Sequence, residues 1–242
     1  MIYKFPYIRM EFIMKKWLIV LCVIACVLMS CDNSTSGSTP NPNPVLVCLG
    51  NSLTAGYGAT ISGEDDKTKS YPAFLQEKLS IQVVNAGVTG DTTAGALARL
   101  KKDVLSHNPQ IVIIELGAND VSHFVPLTET KENLQNIISM IDNGKRKIYL
   151  AKFYTEEVAR AMLTTYNIGN YDTQTAFIKQ YDDIFDGLVA SYNVQLIDTI
   201  WDEVWDLHMS DLAHPNAEGY EIMANNYFSV MEPYLRENGF LK

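Results

Sequence analysis

Ser52 stands in Gly50-Asn51-Ser52-Leu53-Thr54-Ala55-Gly56-Tyr57-Gly58, directly after the apolar run Val45-Leu46-Val47-Cys48-Leu49. A serine just past a buried strand and flanked by glycines can be held with its hydroxyl free, as a nucleophile must be. Such a serine needs a base, and Asp211-Leu212-Ala213-His214-Pro215 supplies one. A neutral imidazole takes the proton of a hydroxyl, and a carboxylate on its other nitrogen fixes the tautomer and stabilises the imidazolium. A three-residue gap lets one tight turn present both groups. Pro215 stiffens that turn and suits the first turn of a following helix. Asp206 and His208 form a rival pair, without the proline and the helix start. Taken singly, each feature has a plainer explanation: a glycine-rich turn with a capping serine, or a solvent-exposed loop histidine. Together they point to a serine hydroxyl activated by a histidine base.

The elements that must bring these residues together are legible as two alternating periodicities. Val45–Leu49, Ile111–Ile114, Ile148–Ala151 and Val194–Ile197 are apolar runs of strand length, with a shorter one over Ile81–Val84. Runs of that kind belong to strands covered on both faces. Between them lie helical faces: Leu97, Leu100 and Val104; Leu134, Ile137, Ile138 and Ile141; Phe177, Tyr181, Ile184 and Leu188; then Met223, Tyr227 and Met231. Alternating strands and helices predict a parallel sheet with helices on both sides. Ligand chemistry then gathers at the carboxyl ends of the strands. The polar motifs fall there, after the first strand and, as Glu115-Leu116-Gly117-Ala118-Asn119-Asp120, after the third.

The composition narrows the field. With 47% hydrophobic residues in 242, the chain can bury one sizeable core, which excludes a disordered polyelectrolyte. A formal net charge of −9 makes it a poor general binder of nucleic-acid phosphates. Its four cysteines, at 22, 26, 31 and 48, include no Cys-x-x-Cys pair, so neither a thiolate zinc site nor a disulfide scaffold is expected. No metal or organic cofactor is implied.

With these motifs in view, the chain resembles an SGNH hydrolase of the GDSL lipase/esterase superfamily. The resemblance rests on Gly50-Asn51-Ser52-Leu53, Asn85-Ala86-Gly87-Val88-Thr89-Gly90-Asp91, Gly117-Ala118-Asn119-Asp120 and Asp211-Leu212-Ala213-His214, in order over 44–242. The stretch from Val83 through Thr92 to Ala98-Arg99-Leu100 is similar to the bacterial thioesterase I/lysophospholipase/arylesterase branch. The resemblance implies a flavodoxin-like three-layer α/β/α sandwich with a five-stranded parallel sheet in the order 2-1-3-4-5. It implies Ser52 as nucleophile, His214 as base and Asp211 as its orienting acid. The implied oxyanion donors are the backbone N–H groups of Ser52 and Gly90 and the side-chain amide of Asn119. The implied activity is hydrolysis of small-molecule or lipid acyl esters through an acyl-enzyme. A carbohydrate O-deacetylase of the same superfamily is a second reading, and a surface lipoprotein used only for binding is a third. One departure stands out: the family's first block reads Gly-Asp-Ser, and here position 51 is asparagine.

The N-terminal region is expected to lie outside the fold. Met14-Lys15-Lys16 precedes an uncharged run from Trp17 to Met29, the pattern of a secretory signal and too short for a comfortable membrane span. Residues 1–13 sit awkwardly upstream, which suggests Met14 as the true start. Leu28-Met29-Ser30-Cys31 resembles a bacterial lipobox, whose cysteine is lipidated, with Val23-Ile24-Ala25-Cys26 as a competing match. Cys31 is favoured because polar Asp32-Asn33-Ser34 follows it; an incidental cysteine after a plain cleaved signal is the alternative. The expected organisation is a signal over 1–30, lipidated Cys31 with a flexible tether over 31–43, and the hydrolase domain over 44–242. That places the protein in a bacterial cell envelope, on the membrane through its lipid.

Other residues have weaker claims. His107, before Asn108-Pro109, reads as a helix-end residue, and His123 as lining the substrate entrance or facing solvent. Glu115 ends an apolar strand, placed either to brace the active-site loops or as a partly exposed structural residue. Tyr154, Tyr166 and Tyr171 fall in 153–172, an irregular or partly helical insertion that either shapes an acyl pocket or forms a surface flap. Asp65-Asp66 reads as a solvated turn.

Overall fold

A computed structural model describes residues 43–165, 167, 169–205 and 207–242. The signal-like segment, Cys31, Tyr166 and Asp206 lie outside the described residues. Five strands form one parallel sheet: β1 Val45–Gly50, β2 Gln82–Gly87, β3 Ile111–Glu115, β4 Lys147–Ala151 and β5 Val194–Ile197. Their order is β2-β1-β3-β4-β5, as the resemblance implied. Every residue of β1 and β3 is buried, which is why both read as unbroken apolar runs. Each fully buried leucine or isoleucine there contributes roughly 1.5–3 kcal/mol, so the strand ends that carry the polar motifs sit on a rigid base.

The helices are α1 Ser52–Ala55, α2 Tyr71–Lys78, α3 Thr93–Asp103, α4 Ala118–Ser122, α5 Leu127–Ile141, α6 Glu156–Thr165, α7 Tyr171–Ser191 and α8 Ala217–Glu237. α2 packs on α8, α3 on α5, and α5 on α7. The expected faces are the ones that pack: Leu134, Ile137, Ile138 and Ile141 of α5 are buried, as are Met223, Tyr227 and Met231 of α8.

Two local expectations need adjusting. β2 extends to Gly87 rather than ending at Val84. Asn85, Ala86 and Gly87 pair with Cys48, Leu49 and Gly50, and the polar Asn85 side chain that hides the strand donates to the Thr54 carbonyl at 2.6 Å. Pro215 is not in the first turn of α8. It pairs with Met209 in an isolated antiparallel bridge, and Asn216 caps the helix by accepting from the Gly219 N–H at 2.9 Å. The segment after β4 is partly helical, as expected: it contains a ten-residue helix, α6, and the start of α7.

Candidate active site

Ser52 is the first residue of α1, and its cap is Asn51, not the serine itself: the Asn51 side chain accepts from the Leu53 N–H at 3.0 Å. α1 closes on Gly56, at φ +80°, where an added Cβ would lie 2.4 Å from the Asp66 carbonyl oxygen, so only glycine fits. Ser52 is 8% exposed. Its Oγ lies 2.9 Å from His214 Nε2, although 162 positions separate the two residues.

The Asp211–His214 turn explains its own spacing. Asp211 Oδ1 accepts from the Ala213 N–H at 2.8 Å and the His214 N–H at 2.9 Å. The same carboxylate meets His214 Nδ1, at 2.8 Å from Oδ1 and 2.9 Å from Oδ2. Burial pushes the Asp211 carboxyl up, but the Ala213 N–H and the His214 ring and N–H outweigh it, and it titrates below the usual carboxylate range. The turn is tied down by the Ser210 N–H, which donates to the His214 carbonyl at 2.8 Å. The Tyr57 ring lies against the imidazole, with centroids 4.5 Å apart.

Two further loops frame Ser52. Gly90 sits at φ +79°, a left-handed conformation that favours glycine, and an added Cβ there would meet nothing within 4 Å. Backbone conformation, rather than crowding, therefore demands glycine at 90. Asn119, in α4, donates through Nδ2 to the Asp91 carbonyl at 2.9 Å, joining the loop after β2 to the turn after β3. An amide nitrogen carries two hydrogens, and Asn119 lines the cavity beside Ser52 and His214.

That cavity is about 560 Å³. Asn51, Ser52, Asn119 and His214 line its polar side, and Val121, Phe153, Tyr154, Met162 and Leu163 its apolar side. Phe124, 84% exposed, is also part of its wall. Tyr154 is thus a buried pocket residue, whereas Tyr171 is exposed at the start of α7.

Arg99 carries no motif signal of its own in the sequence. Its guanidinium donates to the Gly50 carbonyl at 3.0 Å, the Ala86 carbonyl at 2.8 Å and Asp91 Oδ2 at 2.7 Å. One side chain thereby ties the end of β1 to the end of β2 and to the loop carrying Gly90. Nothing in the spacing of Arg99 along α3 announces which carbonyls it meets.

The remaining candidates fall elsewhere. His208 Nδ1 lies 3.3 Å from Glu218 Oε2 of α8, and its proposed partner Asp206 is outside the described residues. His107 ends a short 3₁₀ turn, as expected. His123 is exposed and bonds back to the Asn119 carbonyl at 2.7 Å, so it faces solvent. Asp66 caps a 3₁₀ turn through Thr68, and Asp65 is exposed and accepts from Thr89 at 2.5 Å. Among the described residues there is no cluster of three or more His, Cys, Asp or Glu side chains able to hold a metal ion. Glu115 is fully buried, not partly exposed.

The chain matches the GDSL-like Lipase/Acylhydrolase family over residues 48–222, a span that holds Ser52, Gly90, Asn119, Asp211 and His214. It is similar to an arylesterase of Vibrio mimicus, 28% identical over 204 residues covering 81% of this chain and 90% of that protein. It is also similar to thioesterase 1/protease 1/lysophospholipase L1 of Escherichia coli, 25% identical over 198 residues covering 80% and 86%. Among solved structures, the esterase EstA of Pseudoalteromonas sp., inhibited by monoethylphosphonate, aligns with a TM-score of 0.64 at 21% identity, over 80% of this chain and 100% of that one, a likeness of fold. With a match that spans most of the chain and a sheet of the same architecture, this protein belongs to the GDSL-like lipase/acylhydrolase family.

Proposed function

We propose that the protein is a carboxylic ester hydrolase that works through an acyl-enzyme on Ser52. The observation that carries this reading is the continuous contact from Ser52 Oγ through His214 Nε2 and Nδ1 to Asp211, at 2.9 and 2.8 Å. Asp211 holds the ring with its proton on Nδ1, leaving the Nε2 lone pair for the serine hydroxyl. As Oγ attacks the acyl carbonyl, His214 takes its proton and Asp211 stabilises the imidazolium. The Ser52 and Gly90 N–H groups and the Asn119 amide receive the developing oxyanion. His214 returns the proton to the leaving alcohol or thiol, and water releases the acid by the same steps.

The substrates that fit best are acyl esters with an apolar acyl group, of the aryl ester, lysophospholipid or acyl-thioester kind. The apolar wall of the 560 Å³ cavity supports this, as do the names of the two relatives. An acetyl group would leave most of that cavity unfilled, so O-deacetylation of carbohydrates is the weaker reading. An assembled Ser52–His214–Asp211 contact also argues against a protein that only binds. The test is a hydrolysis panel of p-nitrophenyl esters of rising chain length, acyl-CoA, lysophospholipids and acetylated sugars, with fluorophosphonate labelling of Ser52. A preference for acetylated sugars, or no labelling at all, would overturn the reading.

We also propose anchoring in a bacterial cell envelope through lipidated Cys31. The lipobox-like run and the polar stretch behind it support this. Cys31→Ser should release the protein from membranes into the soluble fraction. Unchanged partition would point to Cys26 or another anchor.

A further inference from the structure

Glu115 ends β3 opposite Gly50, the last residue of β1, so its side chain emerges beneath the turn that carries Ser52. It is fully buried, and the donors that reach it come from that turn. Asn51 Nδ2 donates to Oε1 at 3.1 Å, and Thr54 Oγ1 donates to Oε2 at 3.3 Å. Residues on both sides of Ser52 are therefore held by one group on a neighbouring strand. α1 has only four residues, far too few to hold a direction by its own hydrogen bonds. Something outside it must fix where Ser52 Oγ points.

We infer that Glu115 is the positioning residue of Ser52: through Asn51 and Thr54 it sets the tilt of α1 and so the approach of Oγ to His214 Nε2. The inference rests on the reading of Ser52 as nucleophile.

Asparagine at 51 is part of this device. Its carboxamide has one acceptor and one donor group, and both are used: the acceptor caps Leu53, and the donor meets Glu115. An aspartate would keep the cap but set a second carboxyl group about 3 Å from the first. Two carboxyl groups that close share one proton and cannot both ionise. The other titratable groups that sense Glu115 are Tyr71 of α2, Tyr181 of α7, and Tyr220 and Tyr227 of α8. Burial pushes all four tyrosines well above their ordinary range, so they are neutral and offer no cation to hold a second carboxylate. Position 51 thus decides whether one carboxyl group or two, which would have to share a proton, face each other beneath the turn that carries Ser52.

The experiment uses the full chain and four variants: Glu115→Ala, Glu115→Gln, Asn51→Asp, and Asn51→Asp with Glu115→Gln. Fluorophosphonate labelling rate per folded molecule, kcat and KM on a p-nitrophenyl ester, and melting temperature are measured from pH 5 to 9. Glu115→Ala should slow labelling and kcat by roughly 10²-fold, the effect of a misplaced reacting group, with KM nearly unchanged. Glu115→Gln should recover most of that loss, because its amide oxygen still accepts from Asn51. For Asn51→Asp, the ratio of variant to wild-type rate should fall as pH rises, and adding Glu115→Gln should abolish that fall. A folded Glu115→Ala protein that melts earlier but labels at the wild-type rate would overturn the role. So would an Asn51→Asp profile parallel to wild type, which decides the matter if Glu115→Ala does not fold. Absence of labelling in the wild type would overturn the serine-hydrolase reading and this role with it; a labelled wild type whose rate ignores Glu115 overturns the role alone.

Discussion

Two carboxyl groups attend Ser52, and their surroundings drive them to opposite states. The Asp211 side chain is 37% exposed, in a loop that turns two backbone N–H groups and an imidazole toward it. Those donors hold its carboxyl below the usual range against the pull of burial. Glu115 has 0% exposure at the end of a central strand. Burial pushes it up to about 8, even though Asn51 and Thr54 pull the other way. A carboxyl group keeps its charge where hydrogen-bond donors and a prospective cation outweigh partial burial, and loses it where complete burial outweighs the donors that reach it. Asp211 is therefore fitted to stabilise an imidazolium, whereas Glu115 is fitted to hold hydrogen bonds.

The contrast can be broken most sharply at the group through which Asp211 acts. His214→Ala should lower kcat by roughly 10⁶, and adding Asp211→Asn should then cost almost nothing, because the anion works only through the ring. A further large fall in the double variant would mean that Asp211 acts on substrate directly. By itself, Asp211→Asn should cost roughly 10⁴ in kcat through the wrong histidine tautomer. A loss of less than about tenfold would remove the functional half of the comparison. Asn119→Ala, which touches neither carboxyl, should cost roughly 10²–10³ in kcat with little change in melting temperature. If it merely unfolds the protein, its bond to the Asp91 carbonyl is what matters.

The smallest effect is on stability, and its sign separates the two groups. Folded Glu115 keeps its proton up to about 8, while the unfolded chain releases it near the ordinary value of 4.5. Stability tied to neutral Glu115 is thus complete below about 4.5 and is lost as pH rises through about 8. The wild-type melting temperature should fall across that window relative to Glu115→Gln; parallel curves would show that Glu115 ionises normally. Asp211 has the opposite sign, because its folded value is lowered. Its contribution is present above the ordinary carboxylate value and is lost as pH falls through the folded one, so Asp211→Asn should flatten the acid limb instead.

Legibility followed burial. β1 and β3 could be read because both faces are covered and each residue must be apolar. The edge strand β2 was half read, because its last residues, Asn85 to Gly87, belong to the site as much as to the core. By its position before an apolar helical face Pro215 suits α8, since proline is at home in a first helical turn. The fold uses it before the Asn216 cap, in the bridge to Met209 that closes the Asp211–His214 loop. Of the two Asp–His pairs, only the His214 ring meets Ser52; His208 faces Glu218 across the start of α8.

What the sequence determined by itself is local. Asp211 and His214 meet because an aspartate can accept the N–H groups two and three residues ahead of it, and that geometry is complete within one turn. The alternation of apolar runs likewise determined the class of sheet. Only the tertiary structure decided that Ser52 Oγ lies 2.9 Å from a ring 162 positions away, that Arg99 joins three chain segments, and that Glu115 stands sealed beneath the turn that carries Ser52. Hydrophobic periodicity states which residues leave water. It does not state which strand ends they will share, and a carboxyl group's charge depends on those neighbours rather than on its place in the chain.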